Sequence, residues 1–232
     1  FGLNRDKWVP NPGAKSSSAL GMYEFVGALM GLAIRTKFYM PFALPSLVWK
    51  ALLGEKLVLG DLDAIDKLTV QAMEQIAAFS RDDFGVVVDE VFTTLDSAGN
   101  VIELEEGGTS RVVTYEDRTE FTQAVLAARL HEADDQTRAM RRGLNSVIPA
   151  RLLALFSWQD LELLVCGRVD ISIETLRAHT VYRGGYSASH PVIATFWKVL
   201  ESFSMDERAL FLKFVWGRTR LPLQDSWVQQ FP

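Results

Sequence analysis

The chain has 232 residues, 48% of them hydrophobic and 23% charged, with a formal net charge of −5. That composition is ordinary for a folded protein and excludes a disordered or low-complexity chain. The negative balance argues against a general nucleic-acid binder, which needs a basic surface, and mildly against an anionic membrane as partner.

Residues 1–18, rich in Asn, Pro, Gly and Ser, read as an irregular lead-in. Residues 20–36 read as a helix that is apolar nearly all round, hence buried. Its apolar window, 20–34, contains Glu24 and falls short of the ~20 residues a membrane-spanning helix needs. Gly27 and Gly31 have the spacing of a close helix–helix contact, read here as a core contact. Pro41 and Pro45 break the chain, Ser46 is placed to cap a helix over 47–53, and Gly54 closes it. A further helical stretch from Asp61 sets Val70, Met73, Ile76 and Ala77 on one face.

The pattern changes after Phe84. Val86-Val87-Val88 and Val91-Phe92-Thr93-Thr94-Leu95 are β-branched, 96–100 is turn chemistry, and 101–104 alternates with period two. This predicts a small β-hairpin that Gly107-Gly108 ends. Capping signals at 114–120 open a helix with Phe121, Val125 and Ala128 on one stripe. A second helical run places Met140, Leu144 and Val147 together before Pro149, and a short apolar helix runs from Ser157 to Gly167. Gly184-Gly185 is the candidate boundary between two lobes. Beyond it lie an apolar helix with Phe196-Trp197 and, opened by the capping box Ser204-Met205-Asp206-Glu207, a last helix closed by Gly217. The predicted class is α+β, mostly α.

These segments, in order, resemble the HECT domain. Arg142-Gly143 with Val147-Ile148-Pro149, the segment Leu161-Glu162-Leu163-Leu164-Val165-Cys166-Gly167 and the loop Tyr182-Arg183-Gly184-Gly185-Tyr186-Ser187 are similar to family motifs. So are Phe196-Trp197 and the ending Phe214-Val215-Trp216-Gly217-Arg218-Thr219-Arg220-Leu221-Pro222, with Glu24-Phe25-Val26-Gly27 and Gly31-Leu32-Ala33-Ile34 upstream. No single motif decides; their order and spacing over residues 20–222 do. The wording Trp-Gly-Arg-Thr-Arg-Leu-Pro is closest to the HERC class of large ligases.

The resemblance implies a bilobal fold, incomplete at both ends. Residues 1–182 would form most of a first lobe, with a small subdomain at about 61–130, and 183–232 the opening helices of a second. It implies a ligase that accepts ubiquitin from a conjugating enzyme as a cysteine thioester and passes it to substrate lysines. The partners are then a ubiquitin-conjugating enzyme, ubiquitin and a protein substrate, with no cofactor, metal, nucleic acid or membrane. The family's nucleophile follows a His-Thr or similar pair downstream of the Arg-x-Pro segment, and no such motif occurs here, so this piece alone is expected to be inactive. Cys166, the single cysteine, lies among Leu163, Leu164 and Val165 without a nearby His; a buried structural thiol is the reading, and lone cysteine usage suits a reducing, cytoplasmic setting, with the nucleus also open.

By the same resemblance, the conjugating enzyme docks in an apolar groove built from Val70, Met73 and Ile76 on a helix, the hairpin start near Val91, and Phe121. The alternative for Phe121 is a core stripe shared with Val125. The chain departs from the family at Thr69, where relatives carry Leu. It departs again at Arg35, where relatives with WW domains carry a Tyr that helps hold ubiquitin non-covalently. A non-catalytic HECT-like interaction scaffold is the alternative function. His131 with Asp135, Ser187 and Ser189 with His190, and the acidic group Asp82, Asp83, Asp89 and Glu90 read as solvated or turn-forming residues, the last also able to steer a basic partner.

Overall fold

A helix interior is a poor place for glycine, so Gly27 and Gly143 ask for a structural reason. The computed structural model supplies one. It describes residues 6–168, 170–217 and 219–222. Residues 1–5 of the lead-in, Arg218 of the closing motif and residues 223–232 lie outside the described residues. Helix α1 (Ser17–Thr36) and helix α7 (Asp134–Val147) cross at these glycines. A Cβ on Gly27 would stand 1.8 Å from the Met140 carbonyl oxygen, and one on Gly143 1.8 Å from that of Glu24. Gly31 repeats the contact one turn on, where a Cβ would lie 2.6 Å from Val147 Cβ. Met30, Ala139 and Leu144 are fully buried.

Helix α1 is nevertheless not buried all round. The glycines define one narrow packing face, and Met22 (64% exposed) and Phe25 (63%) project from the opposite side. At 20 residues α1 is also long and apolar enough, by length and composition, to cross a membrane, unlike the shorter window read from sequence.

Helix α2 (Ser46–Leu53) ends as expected at Gly54, in the left-handed region with φ 74°. Ser46 does not cap it; Pro45 holds the cap position, and the Ser46 hydroxyl donates to Asp61 Oδ1 at 3.1 Å. Asp61 lies inside helix α3 (Leu59–Asp63), 5% exposed. A carboxylate so buried needs full pairing, and it receives Lys50 Nζ at 2.8 and 2.9 Å and the Val58 N–H at 3.0 Å.

Helix α4 (Lys67–Ala78) is capped by Asp66, which accepts from the Thr69 N–H at 3.2 Å. The valines at 86 and 87 are not strand: helix α5 covers Arg81–Val87. Ser80 caps it through the Asp83 N–H, with Asp82 and Asp83 in the first turn, and this start signal outweighs the β-preference of two exposed valines. The hairpin follows as read. Strands β1 (Thr93–Leu95) and β2 (Val101–Glu103) are antiparallel, pairing Thr93 with Glu103, Thr94 with Ile102 and Leu95 with Val101. Asp96 builds the turn, accepting from the Ala98 and Asn100 N–H groups at 2.9 and 2.8 Å, while Gly99 supplies φ 83°. The hydrogen bond from the Asn100 side chain leads the causes that hold the Asp96 carboxyl below its ordinary range.

Helix α6 (Arg118–His131) and the short α8 (Ala150–Leu153) flank α7 in sequence; α9 (Trp158–Cys166), α10 (Ile173–Ala178), α11 (Pro191–Ser202) and α12 (Met205–Trp216) follow. The Ser204–Glu207 box caps α12, and Gly217 closes it at φ 69°. A mostly helical α+β chain with a two-stranded sheet is what the sequence predicted.

Two compact units result: Phe1–Gly31 with Ala43–Gln159, and Leu32–Phe42 with Asp160–Pro232. The Gly184-Gly185 break is a turn inside the second unit, both glycines at positive φ, and not the seam between compact units. Burial explains this. Ile171, Ile173 and Leu176 before the glycines share one buried cluster with Trp197, Leu200, Leu212 and Leu221 after them.

The glycine crossing yields a paired stability test. Gly143→Ala drives a methyl into backbone and is expected to lower the unfolding free energy by about 3 kcal/mol. Gly85→Ala, in a helix with open space around it, is expected to raise it by about 0.5 kcal/mol. Urea denaturation of the two variants measures both.

Candidate docking groove

The α4–α6 pair sets the geometry of the first unit's candidate site. The helices run antiparallel and are tied at both ends. Arg129, late in α6, places Nη2 2.7 Å from Asp66 Oδ2 at the start of α4. Arg118, at the start of α6, donates from Nε to the Ala77 carbonyl at the end of α4, 3.4 Å away. Arg129 is only 11% exposed and uses its other end as well. Its Nη1 meets Glu132 Oε2 at 2.6 Å and the Leu95 carbonyl at 3.3 Å. Glu132 in turn accepts from the Ser97 N–H at 3.1 Å, so the hairpin joins the same network.

At the far side Arg111 does similar work. Its guanidinium sits 3.6 Å from the Phe92 ring centroid and reaches Glu105 at 2.7 Å, Asp117 at 2.9 Å and Glu120 at 3.2 Å. The bond to Glu105, with those to Glu120 and Asp117, pushes its pKa further up from an already high value. Phe92 packs edge-on against Phe121, centroids 5.6 Å apart. These rings form a buried cluster with Phe84, Val113 and Val125.

Between α4, β1 and α6 lies a groove of about 340 Å³. Met73 and Ile76 line it from α4, Phe121 and Val125 from α6, and Thr93, Thr94 and Leu95 from β1, with Thr69, Ala72 and Glu90 completing its walls. Three of the five residues singled out from sequence, Met73, Ile76 and Phe121, therefore come together. Val70 does not line the groove; it is 3% exposed, in the interior. Val91 is half-buried, bridged to Val112, and also stands outside the groove wall. Phe121 is 2% exposed. It is a core ring that the groove reaches, not a protruding anchor, so the core stripe with Val125 and the groove floor are the same surface. Sequence reasoning missed Leu95 as a wall residue. The available signal was strand alternation: Leu95 and its partner Val101 are both largely exposed.

The remaining candidates are quickly placed. Cys166 is fully buried in the second unit, with Sγ 3.6 Å from the Phe42 carbonyl. His131 Nδ1 lies 3.3 Å from Asp134, both at the surface. Among the described residues, no three His, Cys, Asp or Glu side chains gather in a way that could hold a metal ion. His190 caps α11, its Nδ1 accepting from the Val192 N–H at 3.2 Å.

Comparison with known proteins gives this arrangement a family. The model for the HECT-domain (ubiquitin-transferase) family matches residues 3–231. The chain belongs to the HECT family. Among relatives, the E3 ubiquitin-protein ligase HERC2 of Mus musculus is 38% identical over 223 residues, 95% of this chain and 4% of HERC2. The E3 ubiquitin-protein ligase HACE1 of Danio rerio is 31% identical, covering 96% of this chain and 25% of HACE1. The E3 ubiquitin-protein ligase NEDD4 of Homo sapiens is 30% identical, covering 92% of this chain and 16% of NEDD4. The higher identity to HERC2 agrees with the HERC-like wording of the last motif. The HECT chain described here spans a small part of each of these relatives.

Two outcomes follow from the groove's construction. Phe121→Ala removes a buried ring and is expected to cost about 3 kcal/mol of stability, read by thermal or urea unfolding. Asp66 gives a pH dependence. Burial works to raise its carboxyl pKa, but the Thr69 hydrogen bonds and Arg129 together outweigh burial and leave it below its ordinary value. The unfolded chain therefore takes up the proton first as pH falls. Asp66's stabilisation is complete above the unfolded value, ~3.9, and is lost as pH drops through the folded one. Asp66→Asn is expected to be less stable near neutrality and to lose less stability below about pH 4, measured by urea midpoints across pH.

Proposed function

We propose that this chain is part of a HECT-type ubiquitin-protein ligase and that its role there is to dock the ubiquitin-conjugating enzyme. The parent protein would take ubiquitin onto a cysteine as a thioester and transfer it to substrate lysines, in a reducing intracellular setting. Residues 1–182 would belong to the first lobe and 183–232 open the second, so the second compact unit straddles that boundary. The observation that carries the docking role is the groove itself: Met73, Ile76 and Phe121, from two helices tied together by Arg129 and Arg118, form the apolar centre of one concavity. Met73, Ile76 and the exposed Leu95 are the apolar wall that an anchor from the partner would desolvate.

A second reading is a non-catalytic HECT-like scaffold. Cys166 is sealed in a core, and burial among apolar groups makes a thiol inert, so under the ligase reading the thioester forms on another cysteine of the parent protein. Thioester-loaded conjugating enzyme separates the readings. Incubated with the parent protein, it leaves a reducible ubiquitin adduct under the ligase reading and none under the scaffold reading. Under neither does Cys166 of this chain accept ubiquitin.

The groove assignment has its own test. Leu95→Asp and Met73→Asp change the groove wall while leaving the Phe121 ring in place, and each is expected to weaken conjugating-enzyme binding tenfold or more, measured by calorimetry. Binding that is absent from the unaltered chain, or indifferent to both substitutions, removes the groove from the interface.

A further inference from the structure

Residues 8–14 of the lead-in lie against the first unit as a strap. The Trp8 N–H donates to the Ala43 carbonyl at 2.7 Å and the Asn11 N–H to the Tyr23 hydroxyl at 2.9 Å, while Pro10 and Pro12 are buried. Proline fixes φ and so lowers the entropy lost in holding the segment down. The pin is Gln136 of α7, which is fully buried. Its Nε2 donates to the Pro12 carbonyl at 3.1 Å and to the Ala14 carbonyl at 3.2 Å. Two acceptors fix which end of the amide faces the strap. The Oε1 at the other end is buried with no hydrogen-bond partner among the described residues. A buried oxygen without a partner costs stability, and an apolar side chain of the same size would avoid that cost. What glutamine adds at 136 is the pair of bonds to the strap.

The pinned segment meets the hairpin. A Cβ on Gly13, between the two bonded carbonyls, would stand 3.5 Å from Asn100 Nδ2 and 3.7 Å from Ala98 Cβ. Asn100 binds Asp96 through both its N–H, at 2.8 Å, and its side chain, at 2.9 Å. The strap therefore rests on the side chains of the β1–β2 turn. Leu95, on the groove wall, directly precedes that turn. A two-stranded hairpin has little stability of its own, so a contact on its turn bears on where its strands sit.

We propose that the strap braces the hairpin, with Gln136 as the residue that positions it, so that lifting the strap loosens the Leu95 wall of the groove. The bracing stands apart from the docking role; only its consequence for the partner rests on that reading. The test is amide hydrogen exchange of the whole chain, unaltered and carrying Gln136→Met or Gly13→Ile. Gln136→Met keeps the size and loses the donor, whereas Gly13→Ile keeps Gln136 and pushes the strap off the turn. Each is expected to speed exchange at Ala98 and Asn100 about tenfold while amides 139–144 of α7 keep their rates. Gly13 is exposed, so its variant decides the matter if Gln136→Met fails to fold. Unchanged rates at Ala98 and Asn100, or rates that rise equally there and in α7, overturn the bracing. Calorimetry with a conjugating enzyme reads the consequence: Gly13→Ile is expected to weaken binding about threefold or more. Undiminished affinity beside faster exchange overturns the link from strap to groove wall. Absence of binding by the unaltered chain removes the docking role and leaves the bracing to stand or fall on exchange.

Discussion

The candidate groove exists because one guanidinium is taken nearly out of water. Arg129 joins Asp66 at the head of α4, Glu132 at the end of α6 and the Leu95 carbonyl on β1. A charge this buried is costly unless every nearby acceptor is well placed, and removing one partner strands the rest. The cost has a structural return. Helix–helix packing alone leaves two helices free to slide by small amounts, and a two-stranded hairpin is barely stable by itself. A shared arginine fixes the three elements at one point, and Arg111, lying on Phe92 and bound to Glu105, Asp117 and Glu120, ties the hairpin to the start of α6 at another. The groove lies between these two anchors, which makes it a property of ion pairing as much as of apolar packing.

The α1–α7 crossing uses the opposite strategy. No charge is buried at the contact; backbone meets backbone, and side chains are deleted to permit it. Gly27 opposes the Met140 carbonyl and Gly143 opposes that of Glu24, so the contact is reciprocal and neither glycine can be exchanged independently. This narrow face also accounts for the exposed apolar side of α1. A helix joined to its neighbour through glycines on one side buries little of its opposite side.

Local chemistry was legible in the sequence, and long-range burial was not. The Ser204–Glu207 box, the Gly54 and Gly217 closures and the Asp96–Asn100 turn are short-range features, and all appear where the residues placed them. The helix at 81–87 was missed because three valines pull toward strand, whereas the deciding contact is a single cap from Ser80. Composition marks the bend at Gly184-Gly185 without saying that the residues on either side of it pack into one buried cluster. Ser46 looked like a cap because nothing local reveals that Asp61, fifteen residues on, needs its hydroxyl. The groove was partly legible for the same reason. Helical spacing put Val70, Met73 and Ile76 on one face, but only the position of α6 and β1 decides that Val70 lies beneath that face while Met73 and Ile76 open onto the groove.

Phe121 shows why family, core and site were hard to separate from sequence. A ring that is 2% exposed belongs to the core by any measure of burial, yet it forms the floor of a concavity whose walls are polar as well as apolar. Thr69, Thr93, Thr94 and Glu90 give the groove a wetter surface than an all-apolar one, and polar edges with a small apolar centre characterise interfaces that form and dissolve. Under the proposed function the partner arrives charged with a thioester and leaves once discharged, and such a surface would serve it, because tight binding would hold the spent enzyme in place. Under the proposed function, the polar character of Thr69 is then a feature of turnover rather than a defect of the groove.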